Sequence, residues 1–259
     1  MRNDGRVSES LDQTRAYPRV TSFRFRRGTL TPGQQRNWDT LWPRLGLDLL
    51  TGSEPTSHPT LDLPDLFGRV APVILEIGSG TGISTVAMAA AEPEVDVLAV
   101  EVYRPGLAQL VGLVDRNGLT NVRMVRGDAM VVLTELLRPE SLTGIRVFFP
   151  DPWPKSRHHK RRLLQSGTIE LMADRLRPGG VLHIATDHAD YAEWIAERLA
   201  TQRADRPHVI PLTREAPFLL ERPTTKFEGR AEREGRDVNE FVYVRPVPPA
   251  PPQTEGVTS

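Results

Sequence analysis

Cysteine is absent from the 259 residues. This excludes disulfides, thiolate metal sites and cysteine nucleophiles, and it leaves the redox compartment open. Lysine is scarce: of 33 Lys and Arg residues, only Lys155, Lys160 and Lys226 are lysines. Lys is a compact point charge that Arg does not replace, so these three positions draw attention. An excess of either sign is missing too, since 33 acids balance the bases. The whole-chain field therefore does not favour a polyanion, and any nucleic-acid footprint must be local. No apolar run reaches the roughly 18 residues of a membrane-spanning helix. The N-terminus carries arginines but no apolar core of a secretory signal, so a cytoplasmic protein is expected. No internal repeat is visible. His158 and His159 lack partners at metal-ligand spacing, and no metal is expected.

What is present is enough for one α/β domain with tails. Residues 1–35 form a basic arm in which Arg15, Arg19, Arg24, Arg26 and Arg27 outnumber the acids. It reads as a flexible basic arm ordered from Ser22 onward or, for residues 1–18, as a solvated, disordered tail. A helix is expected near Thr31–Leu41, with Thr31 as cap and Pro32 at the first helical position. Gly52–Pro64 is loop-like. Strands are then expected at Val73–Ile77, Val95–Glu101, Asn121–Val125, Ile145–Phe149, Val181–Thr186 and Glu240–Arg245. Helices are expected at Ile83–Ala91, Arg104–Asn117, Ala129–Leu137, Lys160–Leu176 and Ala189–Ala200. This alternation predicts a parallel sheet with helices on both faces, occupying residues 36–245. Residues 246–259 are a Pro-rich tail expected to be disordered.

Two segments carry chemistry. In Glu76-Ile77-Gly78-Ser79-Gly80-Thr81-Gly82, the glycines follow a strand and open a helix, as in nucleotide-cofactor loops. The carboxylate of Glu76 suits a cofactor bearing an ammonium and a sulfonium, such as S-adenosylmethionine, and would repel a pyrophosphate. Glu101 ends the next strand, where an acid accepts hydrogen bonds from ribose; this suits NAD and S-adenosylmethionine alike. Asp128 can meet an adenine amino group or cap the helix after it.

The second segment is Phe148-Phe149-Pro150-Asp151-Pro152-Trp153-Pro154-Lys155, running into Ser156-Arg157-His158-His159-Lys160-Arg161-Arg162. A strand ends in a carboxylate set among prolines and an indole, and a cationic run follows. The carboxylate and Trp153 can hold a flat ring, or Trp153 can simply wall the pocket. Arg157, His159, Lys160, Arg161 and Arg162 can neutralise phosphates. A solvated helix start is the other meaning of such a run, but cations there oppose the helix dipole. Asp187 ends a strand at the ligand-binding edge, or caps the following helix.

These residues resemble the bacterial tRNA (guanine-N7-)-methyltransferases. The resemblance runs through Ser22–Thr31, Glu76–Gly82, Glu101, Gly127-Asp128, Pro150–Arg162 and Thr225–Glu228, and covers roughly residues 20–245. It implies a class I, Rossmann-like fold whose final strand is antiparallel. It also implies methyl transfer from S-adenosylmethionine to guanine N7 at position 46 of the tRNA variable loop. Glu76, Gly78, Gly80, Gly82, Glu101, Asp128 and Asp151 fall on its cofactor positions, and Asp151 on the catalytic one. Lys155, Asp187, Thr225, Lys226, Phe227 and Glu228 fall on substrate positions. The partner implied is tRNA, with no membrane and no obligatory protein partner, the chain acting as monomer or homodimer. By its residues alone, Thr225–Glu228 reads as a surface loop.

Three other readings compete. A nicotinamide-dependent oxidoreductase would share the glycine loop and Glu101, but it would need a hydride-transfer acid/base pair. A base amino-group methyltransferase would share an Asp-Pro-aromatic motif, but Trp153 stands where a second Pro belongs. A non-catalytic RNA-binding module would keep only the fold.

Overall fold

The computed structural model describes residues 22–23, 28–50, 58–201, 207–223, 235 and 237–248. Most of the basic arm and of the Pro-rich tail therefore lies outside the described residues. The chain runs α1 (Pro32–Leu45), β1 (Gly46–Asp48), α2 (Leu63–Phe67), β2 (Val73–Ile77) and α3 (Ile83–Ala91). It continues through β3 (Asp96–Glu101), α4 (Arg104–Arg116), β4 (Val122–Arg126), α5 (Ala129–Val131) and β5 (Leu142–Phe148). Last come α6 (Ser166–Arg175), β6 (Leu176–Thr186), α7 (Ala189–Ala200), β7 (Ile210–Pro211) and β8 (Asn239–Val244).

One sheet holds all the strands, in the order β1-β4-β3-β2-β5-β6-β8-β7. The first six in that order pair in parallel, and β8 pairs antiparallel to β6 and β7. This is the fold class read from the sequence. The core strands are apolar along their length because helices cover both faces. Val97 and Ala99 meet α1, α3 and α4, whereas Leu98 and Val100 meet the side of α2, α6 and α7. Strand order reverses between β2 and β5, which is where open sheets of this kind bind ligands, beyond their carboxyl ends.

Local chemistry sets several boundaries. The Thr31 side chain accepts from Gln34 N and the Gln34 side chain accepts from Thr31 N, a capping box that stabilises α1 by about 1 kcal/mol. Pro32 follows at the first helical position. Trp38 and Trp42 then stack at 4.1 Å, inside the cluster that joins α1 to α4. The Asn121 amide donates to the carbonyls of Ala89, Glu92 and Val95, which stitches the end of α3 to the start of β4.

Two expectations need correction. Lys160–Leu176 is not one helix. A narrow helix spans Ser156–Arg161, the chain breaks, and α6 starts only at Ser166. The break arises because Arg162, Leu163 and Leu164 all turn into the interior. The expected loop at Gly52–Pro64 also runs into α2, whose Leu63 and Phe67 are buried and whose cap is the Asp62 carboxylate.

Candidate active site

The carboxyl ends of β2, β3, β4, β5 and β6 lie along one edge because these strands are parallel. They bring Glu76, Glu101, Asp128, Asp151 and Asp187 to that edge. After β2, the amides of Gly78 and Ser79 donate to Val100 O, and Gly78, Gly80 and Gly82 all adopt positive φ. A Cβ on Gly78 or Gly80 would meet nothing within 4 Å, so the loop presents bare backbone to open space. The far side of the loop is packed tightly. A Cβ on Gly82 would lie 2.3 Å from Leu110 Cδ1, and one on Gly106 of α4 only 2.2 Å from Gly80 O. Gly106→Ala should therefore push the loop outward. We expect at least a tenfold loss of cofactor affinity, since one misplaced element near a site can cost about a hundredfold, and calorimetric titration with S-adenosylhomocysteine measures it.

Glu101 braces the same loop. Its Oε2 accepts from Gly80 N at 2.9 Å, and its Oε1 from Val102 N and Tyr103 N at 2.7 and 2.9 Å. Glu76 is only 4 % exposed, and its Oε2 has no hydrogen-bond partner among the described residues. Burial pushes its carboxyl up to about 7. The Arg146 guanidinium and the nearby Thr85 hydroxyl pull it down, and Glu101 pushes it up again. Among the described residues the Thr85 hydroxyl makes no hydrogen bond of normal geometry. A buried acid with a lone oxygen beside bare glycine backbone suits a cationic ligand and is costly without one. The residues present thus fit the ammonium end of S-adenosylmethionine. Asp128 is half-buried and caps α5 through Met130 N at 3.0 Å. Burial raises its carboxyl and the Met130 bond lowers it. The capping role is the one realised in the structure, and one oxygen is committed to it.

Beyond β5 the chain turns through Phe149 at φ 50° and Trp153 at φ 43°. Both precede a proline, and neither is glycine, so the turn is strained on each side of Asp151. Among the described residues the half-buried Asp151 carboxylate has no hydrogen bond. Three anchors hold the turn. Phe149 N donates to Ala185 O at 2.8 Å. Trp153 is buried and its indole N–H donates to Ser22 O at 3.0 Å, which ties the turn to Ser22. Arg162 Nε donates to Pro152 O at 2.8 Å. Lys155, Arg157, Lys160 and Arg161 are exposed beside this turn, and Arg161 lies over the Trp153 ring at 4.9 Å.

A family model described as "Putative methyltransferase" matches residues 70–241. The chain is 57% identical over 240 residues to a tRNA (guanine-N(7)-)-methyltransferase of Rhodococcus jostii, covering 93% of this chain and 88% of that one. Its identity to the enzyme of that name from Nocardia farcinica is 55% over 241 residues, covering 89% and 86%. For Mycolicibacterium paratuberculosis the figures are 54% over 236 residues, covering 90% and 89%. The chain belongs to the tRNA (guanine-N(7)-)-methyltransferase family. Among solved structures, the 16S rRNA methyltransferase KamB is 18% identical with a TM-score of 0.49, over 73% of this chain and 96% of that one.

Against the positions expected of a family member, the structure brings together the glycine loop, Glu76, Glu101, Asp128, Asp151 and Asp187. Asp187 does not cap α7. His188 holds that position, and its amide donates to Thr186 Oγ1. Thr225, Lys226, Phe227 and Glu228 lie outside the described residues. Arg162 is a correction: it does not face solvent or phosphate. It is 1 % exposed, pairs with Asp190, and lies 5.0 and 4.9 Å from the Tyr191 and Trp194 rings. Two residues at the site escaped the sequence reading. Gly106 sits inside an ordinary helical pattern and gives no local sign. Arg146 did give one, being the only charged residue of its strand.

Proposed function

We propose that this chain transfers the methyl group of S-adenosylmethionine to N7 of guanine at position 46 in the variable loop of tRNA. It would do so in the cytoplasm as a monomer or homodimer, without an obligatory protein partner; no helix among the described residues is long and apolar enough to cross a membrane. The observation that carries the reading is the Asp151 turn. A carboxylate without a hydrogen bond among the described residues stands at the switch point, between two strained residues, with four exposed cations beside it.

In this reading Glu76 receives the cofactor's ammonium, the Gly78–Gly82 backbone lies against its methionine part, and Glu101 and Asp128 face the nucleoside. The cofactor supplies, when bound, a methyl group on a positively charged sulfur. Guanine N7 has an in-plane lone pair and no proton, so the chain need not provide a general base. It must instead orient the base and answer the positive charge that develops on the ring. Asp151 does this as a fixed carboxylate, or by accepting from the guanine N1–H and amino group. The strained, proline-locked turn keeps that carboxylate from relaxing, so little reorganisation is needed at the moment of transfer. Lys155, Arg157, Lys160 and Arg161 hold the phosphates, while Asp187 and Thr225–Glu228 contact the nucleotide.

The test mixes the protein, labelled S-adenosylmethionine and unmodified tRNA transcripts with guanosine or adenosine at position 46. Borohydride and aniline then cleave the strand at N7-methylguanosine. Label transfer with cleavage at position 46, absent from the adenosine transcript, is the expected result. Transfer without cleavage would discard the N7 assignment.

A further inference from the structure

Arg146 sits on β5 directly across from Glu76 on β2. It is 1 % exposed. Its Nη2 reaches Glu92 Oε2 at 3.3 Å and Leu219 O at 3.0 Å, while Leu219 N donates to Glu92 Oε1 at 2.7 Å. The Phe218 ring lies 5.0 Å from the guanidinium. Thus one buried cation and one buried carboxylate grip the backbone of Leu219 from both sides. The Nε of Arg146 and the Oε2 of Glu76 have no hydrogen-bond partner among the described residues.

We propose that Arg146 is a cofactor-positioning residue: itself anchored by Glu92 and Leu219, it sets a fixed positive charge across the sheet from Glu76 and so favours the carboxylate that meets the cofactor's ammonium group. The proposal rests on the assignment of Glu76 to the cofactor. Its physical basis is a count of buried charge. Glu76 and Glu92 share a single guanidinium, so the ionised triad carries one net negative charge away from water. Such a group is costly alone and favourable once a cation joins it. Glu101 on β3 opposes the ionisation of Glu76, and His183 on β6 flanks Arg146 on its other side. His183 is held by Glu240 at 2.5 Å, and burial lowers its affinity for a proton. Arg146 is therefore the only group among the described residues that favours the Glu76 carboxylate by charge.

The Glu76 carboxyl is pushed up to about 7 in the folded chain, above its value of 4.5 when exposed. Without ligand its contribution to stability is therefore fully present below about pH 4.5 and is lost as pH rises through about 7. A bound ammonium requires the carboxylate, so binding must release a proton below that point.

The experiment is calorimetric titration with S-adenosylhomocysteine, which keeps the ammonium, across about pH 5.5 to 8.5. Wild-type affinity should be flat above about 7 and fall about tenfold per pH unit below it. Glu76→Gln should bind weakly and without this break. In Arg146→Met with Glu92→Gln, which avoids stranding the Glu92 charge, the break should move to higher pH by about one unit and affinity at pH 7 should drop about fivefold. Glu92→Gln alone should move the break to lower pH. A purely structural role would lower affinity equally at every pH. A break in the double variant no higher than in Glu92→Gln alone overturns the role of Arg146 while leaving Glu76 in place. A wild type without a break, bound no better than Glu76→Gln, overturns the assignment of Glu76 and this proposal with it.

Discussion

Replacing Asp151 with alanine should slow single-turnover methylation of tRNA by about a hundred- to a thousandfold, the usual cost of losing one preorganised group that answers transition-state charge. Thermal stability should stay level or rise slightly. Asp151 has no hydrogen bond to lose among the described residues, and it stands in a turn strained at Phe149 and Trp153, so the fold gains little from it. Asp151→Asn separates two ways of acting. It keeps the shape and one acceptor oxygen but removes the charge. If the carboxylate works by stabilising the cationic ring, Asn should be nearly as slow as Ala; if it works by accepting from the guanine edge, Asn, which keeps one acceptor but sets an NH2 against the other donor, should recover part of the rate. An unchanged rate in the alanine variant, measured by rapid quench with enzyme in excess, would sink the assignment.

Arg162→Ala should have the opposite signature, a large loss of stability in place of a specific loss of rate. Asp190 is 54 % exposed, so the ion pair itself contributes little. The energy lies in the rest: two aromatic faces, the Pro152 carbonyl and a side-chain volume that nothing refills. Together these should cost about 3 to 5 kcal/mol, which lowers the melting midpoint by roughly 10 °C for a chain of this size. Arg162→Lys keeps the charge but loses the fork and the stacking, and should fall between. If Arg162 instead bound phosphate, its loss would weaken tRNA affinity and reduce the salt slope by about one, with the melting midpoint unmoved. That behaviour is expected of Arg161→Ala and Lys160→Ala. Melting curves and salt-dependent binding on all four variants decide between the two roles.

The contrast between Arg161 and Arg162 shows where the sequence stops being sufficient. The strands were legible because a parallel sheet covered on both faces must be apolar along each strand, and α1 was legible because Thr31, Pro32 and Gln34 cap it locally. The glycine loop was legible because positive φ demands glycine at fixed spacing, and the acids stood out at the strand ends. Those features depend on neighbours within a few residues. The two arginines have the same composition around them and the same helical period. What separates them is Asp190, 28 positions further on, with Tyr191 and Trp194 on the same helix. Likewise Trp153 could stack or wall until it met Ser22, 131 positions back. Asp187 could cap until His188 took that place. The sequence alone determined the fold class and the glycine loop, because each is written in local pattern, and its motifs carried the resemblance to the family. The tertiary structure alone decided which charges turn inward and which stay at the surface. That choice depends on what burial brings together across the chain, and on whether a buried charge finds a partner there.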